Sequence, residues 1–176
     1  MYVKDTFRFT TSIDTYNKLK IPSVNIELEN NTKFKVSGVY RCHSIEKDEF
    51  IDSLKVFLDV NKNCKNHCIA GDFNIDLLVS NEQRDDYLYS LFEHMYLPSF
   101  HNITRLDNRM VNGGSCIDNI FLKSNNVNSY ACKFLNPITD HYPLYLIIKL
   151  SNPACSIAIN SKKLINYNKI NVNCQK

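Results

Sequence analysis

The stretch Ile69-Ala70-Gly71-Asp72-Phe73-Asn74 constrains this chain more than any other. Cys68, Ile69 and Ala70 form a short apolar run that reads as the end of a buried strand. Gly71 predicts a backbone turn there, which other residues resist. Asp72 and Asn74 are then expected to project from the C-terminal edge of the strand, with Phe73 between them as an anchor. A carboxylate and a carboxamide two residues apart can converge on one phosphate or one water from a rigid support. The simpler alternative is a strand-end turn, because Gly, Asp and Asn are common turn formers.

The pattern recurs further along. Asp118 lies within the apolar run Ile117 to Leu122, and Asp140 and His141 precede another apolar strand. On a strand, Asp118 shares its face with Ile120 and Leu122. A carboxylate there must be paired or strongly hydrogen-bonded, since burying it alone costs several kcal/mol. His141 is the candidate partner.

Around these points the periodicity predicts alternating strands and helices. Residues 1–4 read as the tail of a strand, and 5–20 as polar and irregular. A half-buried strand is expected over 23–29, then a turn at Asn30-Asn31, then a return strand with Phe34, Val36, Gly38 and Tyr40 on one face. From Ser44 to about Lys62 the stripe Phe50, Ile51, Leu54, Phe57, Leu58 predicts a helix capped by Ser44. A second helix is expected from about Asn81 to Met95, with Leu88, Leu91, Phe92 and Met95 inward. A loop follows from Pro98 to Gly114, then strands over 115–122, 130–135 and 142–150. Beyond Ser151 the sequence is rich in Asn and Lys and shows no face, so a disordered linker or tail is expected over 151–176.

With 176 residues, 44% hydrophobic and 22% charged, the chain is long enough for one domain with a real core. The +3 net charge is mild and by itself says little about nucleic acid. No apolar run reaches the roughly 18 residues of a membrane span, and Met-Tyr-Val-Lys-Asp-Thr lacks the layout of a signal peptide. Seven cysteines without a C-x-x-C pair fit reduced thiols in an intracellular protein. The spacing of Cys64, His67 and Cys68 is wrong for the usual zinc knuckles.

The ordered segments Gly38-Val39-Tyr40-Arg41, Gly71-Asp72-Phe73-Asn74-Ile75-Asp76, Ile103-Thr104-Arg105, Ile117-Asp118-Asn119-Ile120-Phe121 and Thr139-Asp140-His141-Tyr142-Pro143 resemble the endonuclease/exonuclease/phosphatase superfamily. The finer resemblance is to the endonuclease domain of non-LTR retrotransposons, the jockey and CR1-like elements, and it covers residues 1–150. It implies an α/β fold of two packed mixed β-sheets flanked by helices, a four-layer, DNase I-like sandwich lacking its N-terminal strands.

The resemblance also implies a chemistry: hydrolysis of DNA phosphodiesters with Mg²⁺ or Mn²⁺, inside the nucleus, by an enzyme with no membrane partner. The alternative is a catalytically inactive remnant that at most binds nucleic acid. By the same resemblance Asp72 would position the attacking water, Asn74 would bond that water or the phosphate, and Tyr40 would contact the phosphate. His141 would stabilise the developing charge with Asp118 fixing its tautomer, and Asp140 would hold the metal. Arg41, Thr104, Arg105 and Asn119 are the expected substrate contacts, and Arg109 a further phosphate contact. Resembling domains complete the metal site with an Asn and a Glu from an N-terminal segment that has no counterpart here, so an incomplete site is expected. They also follow the Tyr-Arg pair with prolines, where this chain has Cys42-His43.

Overall fold

A computed structural model of the chain describes residues 3–28, 32–107, 113–124, 127–135, 139–150 and 172–175. The elements in order are β1 (Arg8–Tyr16), β2 (Leu19–Glu27), β3 (Lys33–Tyr40), α1 (Lys47–Val60), β4 (His67–Asp72), α2 (Glu82–Glu93) and β5 (Leu97–Pro98). The short β6 (Arg105–Leu106) and β7 (Gly114–Ser115) follow, then β8 (Asp118–Lys123), β9 (Val127–Phe134), β10 (Leu144–Leu150) and β11 (Val172–Gln175).

Six strands form one sheet in the order β1-β2-β3-β4-β8-β5, and three form a second in the order β10-β9-β11. The first sheet is mixed, with a parallel β3–β4 pair; the second is antiparallel throughout. Alternation along the central strands supplies two cores. One face carries Ile21, Val39, Ile69 and Phe121 against Phe50, Leu54 and Phe57 of α1 and Tyr87 and Leu91 of α2. The other carries Phe34, Cys68 and Ile120 against Ala131 of β9 and Leu144, Leu146 and Ile148 of β10. The two packed sheets and flanking helices agree with the expected architecture. Both helices lie on the outer face of the six-stranded sheet, and among the described residues no helix covers the three-stranded one.

Several local expectations need correction. Residues 8–16 are not irregular but form a nine-residue strand, paired in register with β2 from Arg8↔Glu27 to Tyr16↔Leu19. Its polar composition belongs to an edge strand whose side chains are mostly exposed. Ser44 does not cap α1; Glu46 occupies that position without a side-chain cap, while Ser44 Oγ bonds Cys42 Sγ. Phe92 of α2 and Met95, past its end, face water, and Tyr87 and Leu91 are the buried pair. Asn81 does cap that helix, its side chain accepting from Arg84 N at 2.8 Å. Val172–Gln175, expected within a disordered tail, pair with β9, whose second edge otherwise offers unmatched backbone groups. Residues 151–171, the Asn30-Asn31 turn and Arg109 lie outside the described residues.

A polar chain crosses the helix-side core. Ser23 Oγ and Ser37 Oγ lie 2.7 Å apart, Ser37 Oγ meets His67 Nε2 at 2.8 Å, and Tyr96 OH meets His67 Nδ1 at 2.6 Å. His67 is fully buried, and burial, helped by the charges of Lys35 and Lys123, pushes its pKa down to about 3. Zinc binding by Cys64, His67 and Cys68 is therefore not built here, because both imidazole nitrogens are engaged. The thiols of Cys68 and Cys116 are likewise buried, which pushes their pKa up to about 12 and about 11.

His67 sets a pH dependence. The unfolded chain takes up the imidazole proton near the ordinary value of 6.5, whereas the folded chain resists it down to about 3. Its contribution to stability is complete above the unfolded value and drains away as pH falls through that window. The loss amounts to about 5 kcal/mol when complete. Urea denaturation at pH 7, 5 and 3.5 should show this decline, and His67→Gln should flatten it relative to the wild-type chain.

Candidate active site

Strand register assembles the site. The parallel β3–β4 pair sets Tyr40 beside Asp72, and the antiparallel β4–β8 pair sets Asp72 beside Asp118. In-register neighbours share a face, so the three side chains stand in a row at one end of the sheet. They lie on the face that carries Cys68, Ala70, Ile120 and Leu122 into the sheet–sheet core. Tyr40 is 60% exposed. The sequence expectation that Asp118 shares a face with Ile120 and Leu122 holds.

His141 comes from the other layer, three residues before β10. Its Nδ1 lies 3.0 and 2.9 Å from the two carboxylate oxygens of Asp118, so Nδ1–H donates to Asp118. Asp118 is half-buried. Desolvation raises its pKa above the ordinary carboxylate value, with the nearby Asp72 charge adding to the rise and the His141 bond opposing it. Donor atoms of Asp72, Asp118 and His141 all lie within 4.8 Å of one another.

The turn after β4 is built differently from the sequence expectation. Gly71 does not make it: Gly71 is within the strand and has no positive φ. Glycine is needed there because a Cβ would lie 1.7 Å from the carbonyl oxygen of Val39. The residue in the left-handed region is Asn74, at φ 51°, a conformation that Asn tolerates better than most. Asn74 N donates to Asp72 Oδ1 at 3.0 Å, and Asn74 Nδ2 donates to Arg41 O at 2.8 Å. Phe73 anchors the turn as expected, edge-on to Phe121 at 5.2 Å between centroids.

Three residues expected to contact substrate have their polar groups bonded within the chain. Arg41 is 5% exposed, and its guanidinium donates to the carbonyls of Phe73, Ile45 and Asn74 at 3.0, 2.6 and 2.9 Å. It clamps the turn rather than facing a phosphate. Thr104 is wholly buried; its Oγ1 accepts from Asp118 N at 3.1 Å, and its carbonyl accepts from Tyr142 N at 2.8 Å. Asn119 is also buried, donating to Phe100 O at 2.8 Å and accepting from Ser99 N and Phe100 N. Thr104 thereby carries both Asp118 and the His141 loop.

Arg105 and Asp140 are half-exposed and paired with each other, Nε to Oδ2 at 2.8 Å. That guanidinium holds the Asp140 carboxyl below its ordinary range. Asp140 Oδ1 lies 4.0 Å from His141 Nε2, but Asp140 stands outside the Asp72–Asp118–His141 group that could hold a cation. Within that group Asp118 gives both oxygens to His141, while Asp72 commits only Oδ1. Mg²⁺ is often held by one or two carboxylates plus water and substrate phosphate. The donor set fits such a thinly held ion, with Asp72 as the principal protein ligand.

Two supporting residues escaped the sequence reading. Asp76 Oδ1 accepts from Leu78 N and Cys116 N, tying the turn to the start of β8. Lys133 sends Nζ to Ile103 O at 2.6 Å and to Asn102 Oδ1 at 3.2 Å, and lies 4.9 Å from the ring centroid of Tyr142. A lysine inside the apolar stretch 130–135 was the visible signal.

Arg41→Ala removes three bonds to buried carbonyls and should cost about 3 kcal/mol in urea denaturation. Gly71→Ala should be at least as damaging, since backbone rather than a flexible side chain meets the new methyl. Asp118→Asn should behave oppositely: it removes a desolvated charge, so Tm at pH 7 should hold or rise. The His141 ring signals should nonetheless shift in an NMR spectrum.

No protein-family model matches the sequence, and no curated protein matches it. Solved structures do share the fold. The endonuclease domain of TRAS1, a telomere-specific non-LTR retrotransposon, superposes with a TM-score of 0.56 at 14% identity, over 77% of this chain and 66% of that one. An endonuclease/exonuclease/phosphatase family protein from Leptotrichia buccalis C-1013-b gives 0.52 at 17% identity, over 74% and 54%. The endonuclease/exonuclease/phosphatase from Bacteroides vulgatus gives 0.57 at 13%, over 76% and 56%. The chain thus spans between 54% and 66% of each of these structures. In fold, the chain is a two-sheet α/β domain similar to these endonuclease/exonuclease/phosphatase structures and to the TRAS1 endonuclease domain.

Proposed function

We propose that the protein hydrolyses DNA phosphodiester bonds with a divalent ion, Mg²⁺ or Mn²⁺, as a retrotransposon-type nicking endonuclease. The observation that carries this reading is the bond from His141 Nδ1 to Asp118, formed beside Asp72 and within 4.8 Å of it. A histidine with Nδ1 fixed by a carboxylate presents Nε2 to a substrate. Protonated, it donates to a phosphoryl oxygen as charge develops there. Asp72 orients the attacking water by accepting a hydrogen bond from it. Asn74 acts through Asp72, because its amide nitrogen is given to Arg41 O. Tyr40, exposed next to Asp72, is free to bond the phosphate. Arg105 remains at the surface beside Asp140, where it can meet the DNA backbone. The metal, held by Asp72 and the substrate phosphate, would supply electrophilic stabilisation of the phosphoryl oxygens.

A second reading, nucleic-acid binding without catalysis, is favoured by one observation. Asp140, the expected metal ligand, is turned to Arg105, which leaves Asp72 as the principal carboxylate for an ion.

Nicking of supercoiled plasmid separates the two. Catalysis predicts conversion to open circles that requires Mg²⁺ or Mn²⁺ and stops with EDTA. Asp72→Asn and His141→Ala should each lower it about 100-fold or more. Retarded mobility of the plasmid without nicking, at 10 mM of either ion, would instead establish the binding-only reading.

A further inference from the structure

The inner face of β9 carries a lysine where the core asks for an apolar side chain. Lys133 lies opposite Leu144 in the β9–β10 pair and two residues from Ala131, and both of those neighbours belong to the sheet–sheet core. The lysine is 8% exposed, and desolvation lowers its pKa. Burying an ammonium costs stability unless its protons are matched, and apolar replacements of buried charges are often neutral or stabilising. Packing alone therefore favours Leu or Met at this position.

The ammonium stands where three segments meet. From β9 it reaches Ile103 O at 2.6 Å and Asn102 Oδ1 at 3.2 Å, both in the segment between β5 and β6. The ring of Tyr142, on the loop that leads into β10, has its centroid 4.9 Å from Nζ, within the range of a cation–π contact. The residues beside these contacts carry the site. Thr104 follows Ile103; its N donates to Ser115 O, its Oγ1 accepts from Asp118 N, and its carbonyl accepts from Tyr142 N. His141 precedes Tyr142 and bridges to Arg105. The segment 104–106 is thus the spacer between Asp118 in one sheet and His141 at the entry to the other. Lys133 grips that spacer at one end and the ring beside His141 at the other.

We propose that Lys133 is a positioning residue: its ammonium holds the 102–104 segment and the Tyr142 ring in fixed relation, and so sets the alignment of His141 Nδ1 with Asp118. An apolar side chain of similar volume would fill the same space but leave Ile103 O without its donor and release Tyr142. The cost falls on alignment more than on stability, because the desolvated charge is removed together with its bonds. The contribution to turnover rests on the hydrolytic reading above; the alignment itself does not.

Lys133→Met, close in volume and uncharged, tests this by NMR. The Nδ1–H proton of His141, assigned by its loss in His141→Ala, should move upfield and exchange with water about tenfold faster than in the wild-type chain. The ring signals of His67, buried in the helix-side core, are the internal control and should stay in place. Tm should change by no more than about 4 °C. Asn102→Ala, which removes one oxygen partner of the lysine, should move the same proton in the same direction by a smaller step, and should add nothing in the Lys133→Met background. In nicking of supercoiled plasmid with Mg²⁺, kcat of Lys133→Met should fall about tenfold with KM unchanged. A wild-type chain that does not nick, but whose His141 proton shifts in Lys133→Met, supports the positioning and defeats the hydrolytic reading. Three results would overturn the proposal: an unchanged His141 proton in either variant, an equal shift at His67, or a larger fall in Tm, which would make the lysine a support of the whole fold.

Discussion

β4 is held between a parallel neighbour and an antiparallel one, and the registers on its two sides must agree. On the β3 side the approach is so close that only glycine fits at position 71. On the β8 side Asp72 meets Asp118. A slip of one residue on either side would turn Asp72 to the helix face and into the apolar cluster around Phe57 and Phe121. The site is thus a consequence of sheet register before it is a matter of side-chain chemistry. The glycine that fixes the register lies next to the carboxylate that needs it.

Beyond the end of β4, the chain has to turn without leaving backbone groups unpaired. The buried guanidinium of Arg41 supplies three donors to that turn, and Asn74 returns one to Arg41. Thr104 does the same for the start of β8 and for the His141 loop. Polar side chains thus form a supporting shell behind Asp72, Asp118 and His141.

This shell explains what the sequence disclosed and what it hid. Asp72, Asp118 and His141 were legible because a charged residue embedded in an apolar strand has few reasons to be there. The strands and helices carrying them were legible from periodicity, as was the burial of Phe73. Arg41, Thr104 and Asn119 carry hydrogen-bonding groups and sit beside Asp72, Asp118 and His141, so they read as substrate contacts. Only coordinates reveal that their donors and acceptors are already spent on main chain. β1 was hidden for a different reason: on an edge strand both faces are wet, and Thr, Ser and Asp replace the alternation that marks a half-buried strand. The inward set of α2 was misread because Phe92, though apolar, is exposed, and Met95 lies past the helix end with a positive φ.

The bond between His141 and Asp118 also joins two separately built bodies. Asp118 belongs to the six-stranded sheet, and His141 enters directly into β10 of the other. Lys133 fastens the second sheet to the loop at 102–103. The imidazole sits at the seam, so its alignment registers how firmly the layers close. In this chain, the geometry of the Asp72–Asp118–His141 group and the docking of the two sheets are a single mechanical variable.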